Sequence, residues 1–338
     1  VTTIREVAER AEVSIATVSR VVNKVGFVSP DLERRVLEAM RHLNYHPSAP
    51  ARSLRRQETR TIGVLIPQLD HPFFSALAYA IEKTLFADDY RMLLCSAQED
   101  EVKELAYAEI LLRQRVDGLV IVPTGHDTDW LTLFERQQTP VILLDRDIES
   151  LRASRVLVNN HQGGYDGMRH LLDLGHRRIA VIGAPEYSPS MQARMTGAKR
   201  ALQDYGVTVP GDWLMIGNRS QYDIGVETAQ HLLQQPERPT AIFALTDVTA
   251  VGVMHVAAET GLKVPQQLSV IGFDDIPLAN FMIPSLTTVA QPIQAMGERA
   301  AKLVLRHIEE PDRPVETVVL DTHLVVRHST HQHTMGKG

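Results

Sequence analysis

Residues 3–23 read Thr3-Ile4-Arg5-Glu6-Val7-Ala8-Glu9-Arg10-Ala11-Glu12-Val13-Ser14-Ile15-Ala16-Thr17-Val18-Ser19-Arg20-Val21-Val22-Asn23, and the reading of the whole chain turns on them. Ile4, Val7, Ala8 and Ala11 recur at helical spacing and give a short helix with one apolar stripe. Glu12-Val13 interrupts it, and Ser14 is then placed to cap a second helix by accepting an orphan backbone N–H. Ile15, Val18 and Val22 form the inner face of that helix, which leaves Ala16, Thr17, Ser19, Arg20 and Asn23 pointing outward. A third helix opens at Ser29-Pro30-Asp31 with a capping residue, a proline at the first helical position and an acid in the first turn. Leu32, Val36, Ala39, Met40 and Leu43 are its buried stripe. Two short helices joined by a tight turn and closed by a third form a helix-turn-helix head. Periodicity alone fits any small three-helix bundle equally well. The outward face of the second helix says more. Its small and hydroxylic side chains suit base edges and thymine methyls in a major groove, and Arg20 can reach guanine or phosphate.

Charge supports the same division. The chain has 338 residues and a net charge of −6, which taken alone argues against nucleic acid. Residues 1–60 carry 11 Lys and Arg against 7 Asp and Glu, a surplus of +4, so the remainder stands at −10. Between 41 and 60 lie Arg41, Arg52, Arg55, Arg56 and Arg60 against Glu58 alone. A basic head on an acidic body is expected of a phosphate-binding module joined to a separate domain. Apolar residues make up 44% and charged residues 22%, an ordinary globular balance. No apolar run is long enough to span a membrane, the N-terminus does not read as a secretory signal, and the single Cys95 fits a reducing compartment. A cytoplasmic protein is expected.

From residue 61 apolar runs alternate with amphipathic stretches. Candidate strands are 61–67, 91–97, 118–123, 140–145, 156–159, 178–183, 241–245, 269–273 and 287–290, with helical patterns at 74–85, 103–114, 163–174, 191–205 and 226–235 among those between them. This alternation predicts an α/β domain of parallel sheets covered on both faces, and so many strands divide more readily into two doubly wound lobes than into one sheet. Ligands of such sheets sit off the C-terminal strand ends. Those ends hold Pro67 to Phe74, Asp145-Arg146, Thr246-Asp247, Asp274-Asp275 and Gln291, and Arg194 opens a helix after Ser188 and Ser190. The mixture suits a sugar: aromatic faces for ring C–H groups, and carboxylates, guanidinium and amide groups for vicinal hydroxyls. Phe73 reads equally as core, and Asp247 and Asp275 as helix caps.

The run from Thr3 to Asn23, continued by Val28-Ser29-Pro30, Leu43-Asn44-Tyr45-His46-Pro47 and Ala51-Arg52-Ser53-Leu54, resembles the head of the lactose-repressor/galactose-repressor family, and the resemblance extends to about Ser329. It implies a helix-turn-helix domain at 1–46, a hinge at 47–60 that folds on operator DNA, a two-lobed effector and dimerisation domain of the periplasmic sugar-binding type at 61–330, and a flexible tail at 331–338. It implies DNA contacts from Thr3, Ser14, Ala16, Thr17, Ser19, Arg20 and Asn23, and from Arg52, Leu54 and Arg55 in the hinge, with Leu54 as the minor-groove wedge. It implies effector contacts from Phe73, Phe74, Asp145, Arg146, Ser190, Arg194, Thr246, Asp274 and Gln291, with Asn159 and Tyr222 as further contacts. Purine-binding relatives carry an Arg near 188 and a Trp near 146, where this chain has Ser188 and Arg146, so a sugar is favoured over a nucleobase. Expected partners are palindromic operator DNA, a sugar-like effector and a second copy of the chain. Two departures stand out: Glu12 occupies the turn position usually held by Gly, and Pro50 limits where the hinge helix starts.

No Gly-x-Ser-x-Gly elbow, phosphate loop, dinucleotide fingerprint or His-Glu-x-x-His is present, so no enzyme and no cofactor is expected. His328, His331 and His333 near the C-terminus read as a mobile tail rather than a metal site. A tail without leucine heptads argues for a dimer rather than a tetramer.

Overall fold

A computed structural model describes residues 2–23, 26–45, 58–125, 129–184, 186, 188–217 and 220–333, the side chains of Asn23 and Asp129 excepted. Arg52, Leu54 and Arg55 lie outside the described residues. The chain divides into two compact units, Val1–Thr59 and Arg60–Gly338.

The first unit holds α1 (Ile4–Arg10), α2 (Ile15–Asn23) and α3 (Pro30–His42). Thr3 caps α1 in a reciprocal arrangement: its hydroxyl accepts the Glu6 N–H at 3.4 Å while the Glu6 carboxylate accepts the Thr3 N–H at 2.8 Å. Ser14 accepts the Thr17 N–H at 3.1 Å. Ser29 stands at the start of α3 but makes no side-chain capping bond. Val7, Ala8, Ala11, Val18, Val21, Val36 and Ala39 form the core. Val21 therefore joins the inner face of α2, whereas Ile15 is 44% exposed, a correction to the inner stripe expected of it. Ile15 lies on the first turn, beyond the end of a core too small to reach it. Glu12 has φ 51°, as its place in the turn requires. Arg35 answers this turn from α3, donating to Ala11 O at 2.7 Å and reaching the Glu12 carboxylate at 3.3 Å.

The second unit contains two six-stranded sheets. In the first lobe the order is β11-β5-β4-β3-β1-β2, where β1 is Thr61–Ile66, β2 Arg91–Ser96, β3 Gly118–Ile121, β4 Val141–Leu144, β5 Ser154–Val158 and β11 Thr317–Leu320. In the second it is β12-β10-β9-β8-β6-β7, with β6 Ile179–Gly183, β7 Leu214–Ile216, β8 Ala241–Ala244, β9 Ser269–Asp274, β10 Thr287–Ala290 and β12 His323–Val325. All pairings are parallel except β10 with β12. Each sheet has a separate apolar core on each face. Near-continuous Val, Ile, Leu and Ala in the inner strands supply both faces at once. The chain crosses between lobes after β5, after β10 and between β11 and β12. The sequence pattern does not predict the edge strands β7, β11 and β12. They are short and half-exposed, so they lack the apolar run that marks the inner strands.

Residues 331–333, expected to begin a flexible tail, instead pack against the second lobe. The His331 N–H reaches Ser269 Oγ at 3.2 Å, the His333 N–H donates to Leu174 O at 2.7 Å, and the His333 ring stacks on the buried His176 at 5.0 Å. Among the described residues no group of His, Cys, Asp and Glu is placed to hold a metal ion. None of the described helices is long and apolar enough to cross a membrane.

Candidate functional site

Two faces carry chemistry, one in each unit. On α2, Ala16 and Arg20 are exposed and Thr17 and Ser19 half-exposed, so one side of the helix offers small, hydroxylic and cationic groups together. Thr3 and Ser14 are exposed too, but their hydroxyls already serve as caps. Ile15 adds an apolar side chain to the exposed start of α2, and Phe27, 88% exposed, follows in the loop. The outward face read from periodicity misses both, because periodicity assigns apolar residues to the core.

In the second unit the C-terminal strand ends of the two lobes face each other. From the first lobe come His71, Phe73 and Phe74 after β1 and Asp145 and Arg146 after β4; from the second come Ser188, Ser190, Met191 and Arg194 after β6, Gln221, Thr246 after β8 and Asp274 at the end of β9. The open space between them is about 20 Å³, so the lobes must part to admit a ligand. Among the described residues two side-chain hydrogen bonds bridge them. His71 Nδ1 accepts the Phe73 N–H at 3.3 Å, so the ring proton sits on Nε2 and is donated to Gln221 Oε1 at 2.8 Å. Ser190 Oγ donates to Asp145 O at 3.1 Å. A larger groove of about 550 Å³ lies at the amino-terminal ends of β4 and β5, where Ser154 Oγ pairs with His307 Nε2 at 2.8 Å.

Each guanidinium in the cleft is held by its own acid. Arg146 makes a two-pronged pair with Glu99 at 2.8 and 2.9 Å and also donates to Pro123 O at 3.0 Å. Arg194 donates through Nε to Asn160 Oδ1 at 2.8 Å and through Nη1 to Leu245 O at 2.7 Å and Asp274 Oδ1 at 3.1 Å, with its guanidinium 3.7 Å from the Phe273 ring centre. Gln291 Nε2 donates to the same Asp274 oxygen at 2.7 Å. Asp145 Oδ1 and Gln291 Oε1 are buried and accept no hydrogen bond from the described residues. Burial pushes the Asp145 carboxyl above the usual carboxylate range, against the pull of Arg194 and Arg146. Burial raises Asp274 as well, against Arg194. Beneath them Asp247 accepts the Ile276 N–H at 2.8 Å and the Thr288 hydroxyl at 2.6 Å, which ties the loop after β9 to its sheet. Burial and the neighbouring Asp274 hold Asp247 well above the ordinary range.

Close packing sets Arg194 in place. The helices Asn160–Asp173 and Pro189–Asp204 touch through glycine: a Cβ on Gly164 would stand 2.0 Å from Arg194 O, and one on Gly197 1.9 Å from His161 O. Of the expected contacts, Phe73, Phe74, Asp145, Arg146, Ser190, Arg194, Thr246 and Asp274 line the cleft, and Gln291 reaches it through Asp274. Thr246 also caps the helix Asp247–Glu259, accepting the Thr249 N–H at 3.2 Å. Two expectations fall one residue wide. Asn159 caps a helix through the Gln162 N–H, and its neighbour Asn160 holds Arg194. Tyr222 is 39% exposed, and its neighbour Gln221 lines the cleft. Glu99 has no signal in the sequence, since only the fold brings it to Arg146.

A helix-turn-helix reader followed in the chain by a two-lobed binding domain defines a DNA-binding transcriptional regulator. Residues 3–48 match the model of bacterial regulatory proteins of the lacI family, and residues 168–330 match the periplasmic binding protein-like domain. Over 333 residues the chain is 36% identical to the HTH-type transcriptional repressor PurR of Glaesserella parasuis serovar 5, covering 97% of this chain and 98% of that protein. It is 34% identical over 328 residues to PurR of Photobacterium profundum, with 97% and 98% covered. The chain belongs to the lacI family and is a transcriptional repressor, not an enzyme. Among solved structures, the lac repressor dimer bound to operator and the anti-inducer ONPF superposes with a TM-score of 0.85 at 27% identity, covering 98% of this chain and 99% of that one. A LacI family regulator from Enterococcus faecium with bound ribose gives 0.75 at 33% identity, covering 81% and 100%.

Proposed function

We propose that the chain acts as a homodimer on a palindromic operator and that a sugar-like effector, bound between the two lobes, sets its affinity for DNA. The carrying observation is that Asp145 and Arg146 from one lobe face Arg194 and Asp274 from the other beside two phenylalanines, with Asp145 Oδ1 buried and ready to accept a ligand hydroxyl. The ribose found in the Enterococcus faecium regulator supports the same class of ligand. A planar nucleobase is the second reading, favoured by the aromatic pair Phe73 and Phe74, whose ring centres are 5.2 Å apart.

In this reading residues 1–46 read the operator through Thr3, Ser14, Ala16, Thr17, Ser19, Arg20 and Asn23. Residues 47–60 act as the hinge, with Arg52 and Arg55 on phosphates and Leu54 as wedge, and residues 61–330 hold the effector through the cleft residues. A ligand that touches both lobes favours the closed cleft, and it changes DNA affinity only by its differential affinity for the two states. A coupling of about 1–3 kcal/mol changes operator affinity by roughly 5–150-fold. Dimer formation is supported by exposed apolar groups in both lobes: Tyr79, Phe86 and Leu93 in the first, Leu278, Phe281 and Ile283 in the second.

Thermal-shift screening against pentoses, hexoses and purine bases, followed by operator gel shift with each binder, tests the reading. A sugar that raises the unfolding temperature and alters operator retention is the expected result. A purine base that does both while no sugar does would replace the sugar by the second reading.

A further inference from the structure

We infer that Glu99 makes the effector cleft selective for uncharged ligands, so that it takes a free polyhydroxyl compound and rejects its phosphate ester; the inference rests on the effector-site reading above. Both guanidinium groups at the cleft are already neutralised. Arg194 has Asp274 at 3.1 Å, and Arg146 has Glu99 on both of its terminal nitrogens at 2.8 and 2.9 Å. His71 Nδ1 accepts the Phe73 N–H. Among the described residues the charged groups at the cleft are then Arg146 and Arg194 against Glu99, Asp274 and Asp145, a balance of minus one with every carboxylate ionised. An entering phosphate would have to break a buried ion pair to reach either guanidinium. Two buried acceptors, Asp145 Oδ1 and Gln291 Oε1, call for ligand O–H or N–H donors.

Glu99 is the position at which this balance is set, because it lies behind Arg146 rather than in the cleft lining. The strand β2 ends just before it, and Gln98 and Glu99 turn the chain at φ 57° and 54°, which carries the carboxylate under Arg146.

The test is titration calorimetry of the full chain with D-ribose, ribose 5-phosphate, inosine and inosine monophosphate, on the wild type, Glu99→Gln and Glu99→Asp. For whichever neutral compound binds, its phosphorylated counterpart should bind at least about tenfold more weakly. Glu99→Gln should narrow that ratio by about tenfold by releasing the Arg146 charge, while Glu99→Asp, which keeps the charge, should preserve it. Inosine binding without ribose binding would end the free-sugar reading and leave the charge rule to the inosine pair. Phosphate esters binding as tightly as their neutral counterparts would overturn the charge rule and leave the sugar reading intact. A ratio unchanged in a folded Glu99→Gln protein removes Glu99 from the role. Failure of both neutral probes overturns both readings.

Discussion

Asp145 and Asp274 sit at φ 65° and 116°, conformations that cost a residue with a side chain about 1–3 kcal/mol and persist only where the surroundings impose them. Both close a strand at the cleft, and that bend turns the carboxylate inward. Asp274→Ala removes the acid shared by Arg194 and Gln291. Effector affinity should fall by about 1.5–3 kcal/mol or more in calorimetry, with operator affinity in its absence near wild type. At the DNA face, Arg20→Ala should weaken binding to the cognate palindrome more than to random duplex in parallel gel shifts. An equal loss on both would reduce Arg20 to a phosphate contact. A third residue sets a pH window. His176 is buried between Thr240 and Ser269 under the His333 ring, and burial pushes its imidazole down to about 4. The unfolded chain takes up this proton near pH 6.5, whereas the folded chain resists it until about pH 4. The contribution is therefore complete above pH 6.5 and lost as pH falls towards 4. Urea midpoints of the second unit should drop between pH 7 and 5, and His176→Asn should flatten that slope.

Helix starts and helix contacts decide which side chains reach the site. Asn159 and Tyr222 are sound choices by residue type, yet it is Asn160 that holds Arg194 and Gln221 that lines the cleft. A one-residue slip rotates a helical side chain by roughly 100°, and no local pattern in these stretches fixes the phase. The pair Asn160–Asp173 and Pro189–Asp204 depends on Gly164 and Gly197 for its close approach. Gly164→Ala should force the helices apart, costing about 1–3 kcal/mol in denaturant unfolding and displacing Arg194, so effector affinity should fall with stability. A variant with both properties intact would show that the packing yields elsewhere. In the head, Glu12 tolerates its left-handed turn because Arg35, 23 residues away, fastens the turn from α3.

At the scale of the molecule, two lobes joined by three crossings can open and close as units, since each sheet has its own cores and only Ile276 and Val248 of the second lobe pack on a core of the first among the described residues. The bridging pairs His71–Gln221 and Ser190–Asp145 are few enough to break without disturbing either sheet. Exposed Phe281 at 74% and Ile283 at 97% mark the second lobe as a candidate contact between copies. Phe281→Glu should shift sedimentation velocity profiles towards monomer at micromolar concentration and weaken palindrome binding more than half-site binding. An unchanged dimer would place the interface elsewhere.

The helix-turn-helix head and the inner strands were legible because their order is local. A capped helix with an apolar stripe, or a run of Val, Ile and Leu buried on both faces, writes its burial into adjacent residues. The strand-end acids and arginines were legible for a related reason: polar residues that close an apolar strand stand at the sheet edge where ligands bind. The tertiary structure alone decided the rest. Glu99 under Arg146, Arg35 across the Glu12 turn, His333 on His176 and the glycine contact that seats Arg194 join residues between 23 and 157 apart in sequence, so no window along the chain contains both partners. Edge strands and exposed apolar side chains belong with them, because their burial depends on what the fold sets beside them and not on their own pattern.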